Sequence, residues 1–425
     1  MFKYKSIVTI IILLTIFLFF LSYPVITIHK RIINKNNKNN YRVINYEEIY
    51  PFDNNDKYSK REITTAYFDF ANKITKKITS IAQENILFRE NFLDIYGIIN
   101  RYIGTKYIVD DETTVVKAHN NSLLINEKKA DLEKSIQSII YFNEYVKKNT
   151  QSNLLYIQFP SKKLLDIDIV PGIIEYKNDE NKDSIIEALK QNDVDVLDLR
   201  IRMPLDYQEY MDKFYISDHH WKTETAFEMT KYIINYLNNE YDYGINETLY
   251  LDSNYAIKEY KDIFLGSLGK KTTKSFTSVD DFKLIVPKFE TSIKICISEY
   301  SIDEEGTFDS LINYNQLGKN SVYNTNPYGC FLYGDNGLVK INNPNGIDKK
   351  VLIIKDSYAN PVISYLSLGI KNIDVIDFRA FNGNLDSFLK ENSYDDIIIM
   401  YNAYGETEGT IEEKSLYNFK LNNKK

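Results

Sequence analysis

The 425-residue chain is poor in the residues that build metal and redox sites: it has two cysteines and four histidines. Cys296 and Cys330 show none of the short spacings of structural zinc ligands, and we expect two unpaired thiols. Because histidine is scarce, two adjacent histidines are conspicuous. They lie in "YISDHHWKTETAF", residues 215–227, together with an aspartate and the only tryptophan, Trp221, which we expect to pack beneath this loop.

Basic residues are also fewer than acidic residues. The chain has 52 Lys and Arg against 59 Asp and Glu, a net charge of -7, and its basic residues are scattered along the sequence. We therefore expect no DNA or RNA partner. A phosphate-binding P-loop is absent, since two residues rather than four separate the glycines of "GSLGKKTT". The G-x-S-x-G elbow of the α/β-hydrolases is absent as well.

One segment lacks charge altogether. Residues 6–28, "SIVTIIILLTIFLFFLSYPVITI", form an apolar run long enough to cross a bilayer as a helix. No small-residue cleavage site and no lipobox cysteine follow it, which indicates an uncleaved signal anchor. We predict an N-terminus and anchor at 1–28, a polar tether at 29–65 and a folded body at 66–425. Basic residues flank the run on both sides, so charge alone leaves its orientation open.

Within the body, helical and strand patterns alternate. Apolar strands are predicted at 153–159, 193–199, 351–355 and 373–378 and from residue 395, and helices at 183–192, from Thr223 and from Pro361. Repeated β-α-β alternation predicts one α/β domain with a mostly parallel sheet and helices on both faces. Residues 249–345 lack helical periodicity and are rich in Tyr, Thr, Asn and Gly, which predicts a β-rich insert.

Ser357 lies between the strand 351–355 and a predicted helix. At the carboxyl end of such a strand, free backbone N–H groups can stabilise an oxyanion. A serine becomes a nucleophile when a neutral imidazole, held by a carboxylate, takes its proton. On an extended loop Asp218 and His220 point the same way and His219 points away. The pattern therefore favours Ser357, His220 and Asp218 as a triad, although a serine at a helix start is more often structural.

The Asp-His-His run has a competing interpretation as a metal site, because manganese-dependent phosphoesterases carry such a run. Those sites need further Asp or His ligands from other loops. Here only His29 and His119 remain, and no early strand carries a paired-aspartate motif. We expect neither metal nor cofactor.

The stretch "FYISDHHWKTETAF" resembles the signature of the DHHW proteins, relatives of the alginate O-acetyltransferase proteins in the SGNH hydrolase superfamily. Other stretches resemble further family blocks in the same order: "NILFRENFLDIYGIINRYIGT", "QFPSK", "NPYGCFLYGDNG", "IIKDSYANP" and "IDFRAF". The likeness spans about residues 66–403. Its specific part is the D-H-H-W run with the downstream serine.

The resemblance implies an SGNH-type three-layer α/β/α fold with Ser357, His220 and Asp218 as the catalytic triad. In ordinary SGNH hydrolases the serine block precedes the Asp-x-x-His block; here the order is reversed, as in the alginate-type relatives. No G-x-N-D block is evident, so the backbone N–H of Ser357 is the first candidate for the oxyanion hole. Further candidates for oxyanion or substrate binding are Arg379, Asn336 and Asn402.

Three functional hypotheses follow from the resemblance. The first is a membrane-anchored, extracytoplasmic O-acetyltransferase, or acetyl-transfer accessory, that modifies a cell-surface or secreted polysaccharide. Its acetyl donor would be a multipass membrane acyltransferase, because acetyl-CoA is cytoplasmic. The second is an acetylesterase of the same fold, since water and a sugar hydroxyl are similar acceptors. The third is a non-catalytic glycan-binding scaffold of a secretion complex.

Overall fold

The computed structural model describes residues 88–110, 113–318, 321–402 and 419. The anchor expected at 6–28 and the tether at 29–65 lie outside these residues. Among the helices of the described part, none is both long and apolar enough to cross a membrane. The chain divides into two compact units, residues 1–96 and 97–425, and of the first unit only residues 88–96 are described.

Helices and strands alternate along the described chain. The helices are α1 (Arg89–Tyr102), α2 (Glu133–Asn149), α3 (Asn178–Gln191), α4 (Tyr207–Met211), α5 (Thr223–Tyr241), α6 (Ser267–Thr272), α7 (Ala359–Leu366) and α8 (Leu385–Glu391). The strands are β1 (Tyr107–Asp110), β2 (Thr113–Lys117), β3 (Leu123–Ile125), β4 (Asn153–Gln158), β5 (Asp195–Asp198), β6 (Tyr255–Phe264), β7 (Asp280–Pro287), β8 (Ile293–Ile297), β9 (Ile302–Gly306), β10 (Leu338–Asn342), β11 (Ile347–Lys355), β12 (Ile370–Ile376) and β13 (Asp396–Tyr401).

The central sheet has the order β5-β4-β13-β11-β12-β10-β8-β9. The five strands β5, β4, β13, β11 and β12 run parallel to one another. Strands β10, β8 and β9 continue the sheet with antiparallel pairing. The sheet is therefore mixed and mostly parallel, as the β-α-β alternation predicts. The segment expected as a β-rich insert divides between two sheets, because β8 to β10 extend the central sheet while β6 and β7 form a separate antiparallel pair.

The parallel strands are buried on both faces, which explains why their sequences are continuously apolar. In β11, Val351 and Ile353 share a core with residues of α5 and α7. The alternate residues Leu352 and Ile354 share a second core with α2, α3 and α8. Because side chains alternate along a strand, this division puts helices on both faces of the sheet.

Helix α7 follows the end of β11 closely and is buried at every position. It begins at Ala359, two residues before Pro361. Proline is tolerated there because the first N–H groups of a helix have no intrahelical acceptor. A fully buried helix of this kind fixes the turn between β11 and α7 at the carboxyl edge of the sheet. The two cysteines, Cys296 and Cys330, are free thiols.

Candidate active site

Ser357 lies in the turn between β11 and α7. The Asp356 carboxylate accepts hydrogen bonds from the backbone N–H groups of Tyr358 (3.0 Å) and Asn402 (2.6 Å), which joins the turn to the end of β13. Within the described residues, the backbone N–H of Ser357 donates to no acceptor. This N–H is therefore available to an oxyanion that forms at the serine.

The second part of the site is the DHHW loop, residues 215–222, between α4 and α5. The loop is closed at its base, where Phe214 and Trp221 form a β-bridge and the Tyr215 N–H donates to the His220 carbonyl. Trp221 is fully buried, and its indole N–H lies 3.2 Å from the Tyr358 carbonyl and 3.0 Å from the Tyr328 hydroxyl. The tryptophan thus connects the loop to the serine turn.

These contacts bring together three residues that the sequence predicted to meet. The distance from His220 Nε2 to Ser357 Oγ is 2.7 Å, and that from His220 Nδ1 to Asp218 Oδ1 is 2.5 Å. The His220 ring also stacks on Tyr328, with centroids 4.0 Å apart. This geometry lets the imidazole take the serine proton while the carboxylate holds its other nitrogen.

Asp218 is buried and has hydrogen bonds to both carboxylate oxygens. Oδ1 also accepts from the His220 backbone N–H at 3.0 Å, and Oδ2 accepts from the Ser267 backbone N–H at 2.5 Å. Burial alone would raise the pKa of Asp218, but the neighbouring His219 and His220 outweigh burial and hold this pKa well below its usual value. The carboxylate is therefore ionised at neutral pH.

The stretch "GSLGKKTT", which lacks the spacing of a P-loop, has a role that its sequence does not reveal. Its first glycine packs directly on the acid: a Cβ on Gly266 would lie 2.2 Å from Asp218 Cβ and 2.4 Å from Asp218 Oδ2. The next residue, Ser267, donates its N–H to Asp218. The only sequence signal for this contact is the glycine itself. Tyr328, also missed, lies in the stretch "NPYGCFLYGDNG" that resembled a family block.

His219 lies outside the Ser357–His220–Asp218 arrangement. Its Nδ1 is 3.0 Å from Ser267 Oγ and 3.5 Å from Asp218 Oδ1, and its side chain is about a third exposed. The hydroxyl of Tyr358 donates to the His219 backbone carbonyl, so the histidine backbone also supports the serine turn.

A metal ion would find three ligand atoms here, because donor atoms of Asp218, His219 and His220 lie within 4.8 Å of one another. Both ring nitrogens of His220 are already hydrogen-bonded, to Asp218 and to Ser357. An ion bound through Nε2 of His220 would displace the serine, and one bound through Nδ1 would displace the aspartate. The donor set therefore suits proton transfer better than metal binding.

The three further candidates are each held by other partners and make no hydrogen bond to Ser357, His220 or Asp218 within the described residues. Arg379 binds the carboxylates of Asp377 (2.6 Å) and Asp335 (3.0 Å) through Nη2. The Asn336 amide donates to backbone carbonyls, at 2.7 Å to Leu332. The Asn402 amide donates to the Pro160 carbonyl at 2.7 Å, and only its backbone N–H reaches the serine turn, through Asp356.

Comparison with known proteins identifies similar chains. The family model described as "DHHW protein" matches residues 182–376. PatB1 of Bacillus cereus, solved with a sulfonyl adduct, is 18% identical with a TM-score of 0.58, covering 73% of this chain and 100% of that chain. A DHHW family protein of Eubacterium siraeum is 17% identical with a TM-score of 0.47, covering 70% and 92%.

The O-acetyltransferase domain of Pseudomonas putida AlgJ is 10% identical with a TM-score of 0.41, covering 68% of this chain and 91% of that chain. No curated protein matches the sequence. The likeness to PatB1 shows the fold, which is α/β with a mixed, mostly parallel sheet, as the β-α-β alternation of the sequence predicts.

Proposed function

We propose that this chain, whose residues 182–376 match the DHHW family model, is a serine-dependent O-acetyltransferase that acts on a polysaccharide. The observation that carries this proposal is the position of the His220 imidazole, 2.7 Å from Ser357 Oγ and 2.5 Å from Asp218 Oδ1. A serine, a base and an ionised acid in this order are what acyl transfer through a serine ester requires.

In the proposed reaction Ser357 Oγ attacks the carbonyl carbon of an acetyl donor while His220 Nε2 takes the hydroxyl proton. Asp218 stabilises the imidazolium through Nδ1–H, and the Ser357 N–H donates to the oxyanion. When the oxyanion collapses, the leaving group takes the proton from His220 and acetyl-Ser357 remains. A sugar hydroxyl then gives its proton to His220 and attacks the ester, which releases the acetylated sugar and restores the serine.

The proposed acceptor and cellular location rest on the resemblance to the alginate O-acetyltransferase proteins. We infer a cell-surface or secreted polysaccharide as acceptor and a multipass membrane acyltransferase as the acetyl donor. Residues 6–28 would anchor the chain in the cytoplasmic membrane with its body outside.

Product analysis tests this proposal. The full-length protein, purified in detergent, is incubated with 4-nitrophenyl acetate as acetyl donor and with oligosaccharides of defined composition, and the products are identified by mass spectrometry. We expect acetylated oligosaccharide from the wild type and none from Ser357→Ala. Free acetate without acetylated sugar would identify an acetylesterase instead. If the wild type binds the oligosaccharide without turnover, and Ser357→Ala binds it equally well, the protein is a scaffold.

A further inference from the structure

Two buried charged side chains hold one residue of the DHHW loop, one at its backbone N–H and the other at its carbonyl. The Ile216 N–H donates to Asp280 Oδ1 at 2.8 Å, and the Ile216 carbonyl accepts from Lys162 Nζ at 3.1 Å. The next residue is held too, because Ser217 donates its N–H (2.8 Å) and its hydroxyl (2.6 Å) to Asp280 Oδ2. We call these contacts of Lys162 and Asp280 the Ile216 clamp.

The clamp connects the loop to three strands. Lys162 follows β4 of the central sheet and also donates to the Leu123 carbonyl of β3 at 2.8 Å. Asp280 begins β7. Strands β1 to β3 form a three-stranded sheet, and this sheet and the pair β6–β7 both meet the central sheet at the DHHW loop. The loop is therefore held by elements far apart in the chain.

Burial of Lys162 is unusual, since lysine is rarely buried without a carboxylate partner. Its side chain is 4% exposed, and within the described residues it contacts two carbonyl oxygens rather than a carboxylate. Burial lowers the pKa of Lys162 to about 7 even though Asp280 and Asp218 lie close enough to oppose this shift. The two carbonyl contacts are therefore the hydrogen bonds that hold the buried Lys162 ammonium in place.

The clamp holds Ile216 and Ser217, the two residues directly before Asp218. A displacement of the Ile216 backbone would move the Asp218–His220 pair relative to Ser357. A misplacement of about 1 Å between reacting groups can lower a rate about 100-fold. We propose that Lys162 and Asp280 are positioning residues that keep Asp218 and His220 in register with Ser357, although neither touches the serine. This inference rests on the proposed serine chemistry.

A sulfonyl fluoride tests the proposal without knowledge of the natural donor or acceptor. In the reaction Ser357 Oγ bonds to sulfur, the S–F bond breaks, fluoride leaves and His220 takes the hydroxyl proton. Intact mass measures the labelling rate of full-length protein with phenylmethanesulfonyl fluoride, and Ser357→Ala identifies the labelled residue. An unlabelled wild type would overturn the proposed serine chemistry, and the present inference with it.

The test variant is Lys162→Met, which keeps the length of the side chain and removes its charge and donors. We expect labelling per folded molecule to slow at least about tenfold. Lys182→Met is the matched control. Lys182 is equally buried and donates to the Phe159 carbonyl and to Ser161 Oγ, near the end of the same strand, but it does not contact the DHHW loop. We expect this control to keep the wild-type labelling rate.

A purely structural role for Lys162 would lower the thermal midpoint without changing the bond between His220 and Asp218. The downfield proton resonance of His220 Nδ1–H reports on that bond, and we expect it to shift in Lys162→Met and to stay unchanged in Lys182→Met. Equal labelling rates and equal resonances in the two variants would overturn the proposal. If Lys162→Met does not fold, Asp280→Asn decides in its place, because it keeps the side-chain volume; unchanged labelling there counts against the clamp.

Discussion

At the scale of single residues, the chemistry depends on which histidine has its ring against the serine. His220 has one ring nitrogen on Ser357 and the other on Asp218, whereas His219 has its Nδ1 on Ser267 Oγ. The two rings are neighbours, with centroids 3.9 Å apart, so that proximity alone does not distinguish them. Their hydrogen-bond partners do.

We predict that His220→Ala and Ser357→Ala lower kcat/KM for acetyl transfer equally, by about 1000-fold or more. The double variant should be no worse than either single variant, because residues of a triad act as a unit. His219→Ala should retain substantial activity, since the hydrogen bond of its ring goes to Ser267 and not to Ser357. Steady-state kinetics of the four variants beside the wild type measures these effects.

Metal analysis of the wild type accompanies these kinetics. If Asp218, His219 and His220 bind a metal ion instead, removal of either histidine abolishes bound metal and activity together. Stoichiometric metal in the wild type, with equal loss in His219→Ala and His220→Ala, would replace the triad by a metal site.

At the scale of elements, the start of α6 acts as a platform for Asp218. The helix has only six residues, yet its first N–H donates to the carboxylate and the glycine before it lies against the side chain. Glycine is required at 266 for close approach: a Cβ there would overlap Asp218 Cβ, which cannot move without moving His220.

We predict that Gly266→Ala lowers kcat/KM at least about tenfold, because the added methyl group displaces Asp218. Gly306→Ala is the control. A Cβ at Gly306 would meet only the Ser310 hydroxyl, at 2.8 Å, on an exposed part of β9. Kinetics and thermal melts of both variants separate displacement of the acid from loss of stability. Wild-type activity in Gly266→Ala would show that the loop tolerates a shift at Asp218.

At the scale of the whole molecule, buried lysines make stability depend on pH. Burial lowers the pKa of Lys182 to about 8 from its ordinary 10.5. Below about pH 8 the lysine is protonated in both the folded and the unfolded chain, so the cost of burying the ammonium is fully present. Between the two pKa values the unfolded chain binds more protons than the folded chain, and the free energy of unfolding rises with pH.

We predict that the unfolding free energy of the wild type, relative to Lys182→Met, rises by on the order of 1–2 kcal/mol between about pH 7 and about pH 9.5. Urea titrations of both proteins at the two pH values measure this difference. Exposed Lys148, changed to Met, is the control and should leave the pH dependence unaltered. A constant difference between wild type and Lys182→Met would mean that Lys182 stays protonated in the folded chain.

The proposed membrane anchor at residues 6–28 leads to a further prediction about the whole molecule. We predict that alkaline phosphatase fused after Lys425 is active, because this enzyme works only outside the cytoplasm. A fluorescent protein that matures only in the cytoplasm should show no fluorescence when fused at the same position. A variant without residues 6–28 serves as the control and should reverse both results. The reversed pattern in the full-length fusion would place the body inside the cell and would favour the phosphoesterase hypothesis.

Much of the architecture could be predicted because it depends on local sequence patterns. Continuous apolar runs such as 351–355 indicate strands that are buried on both faces, and β11 is such a strand. The places of β8 and β10 in the sheet could not be predicted, since β10 pairs with β12 and β8 pairs with β10, and all of these partners are distant in the chain. Periodicity indicates that a segment is a strand, but it does not identify the neighbouring strand.

The candidate site, like the fold, could be predicted only in part from the sequence. The sequence by itself determined the residue types of the proposed chemistry: an aspartate and a histidine two residues apart, and a serine after an apolar strand. Only the tertiary structure decided which groups hold them. Gly266, Lys162 and Asp280 are separated by 49, 54 and 64 residues from the loop residues that they contact. Burial and hydrogen bonding over such separations leave no periodic trace in a sequence, because they depend on how independent elements pack against one another.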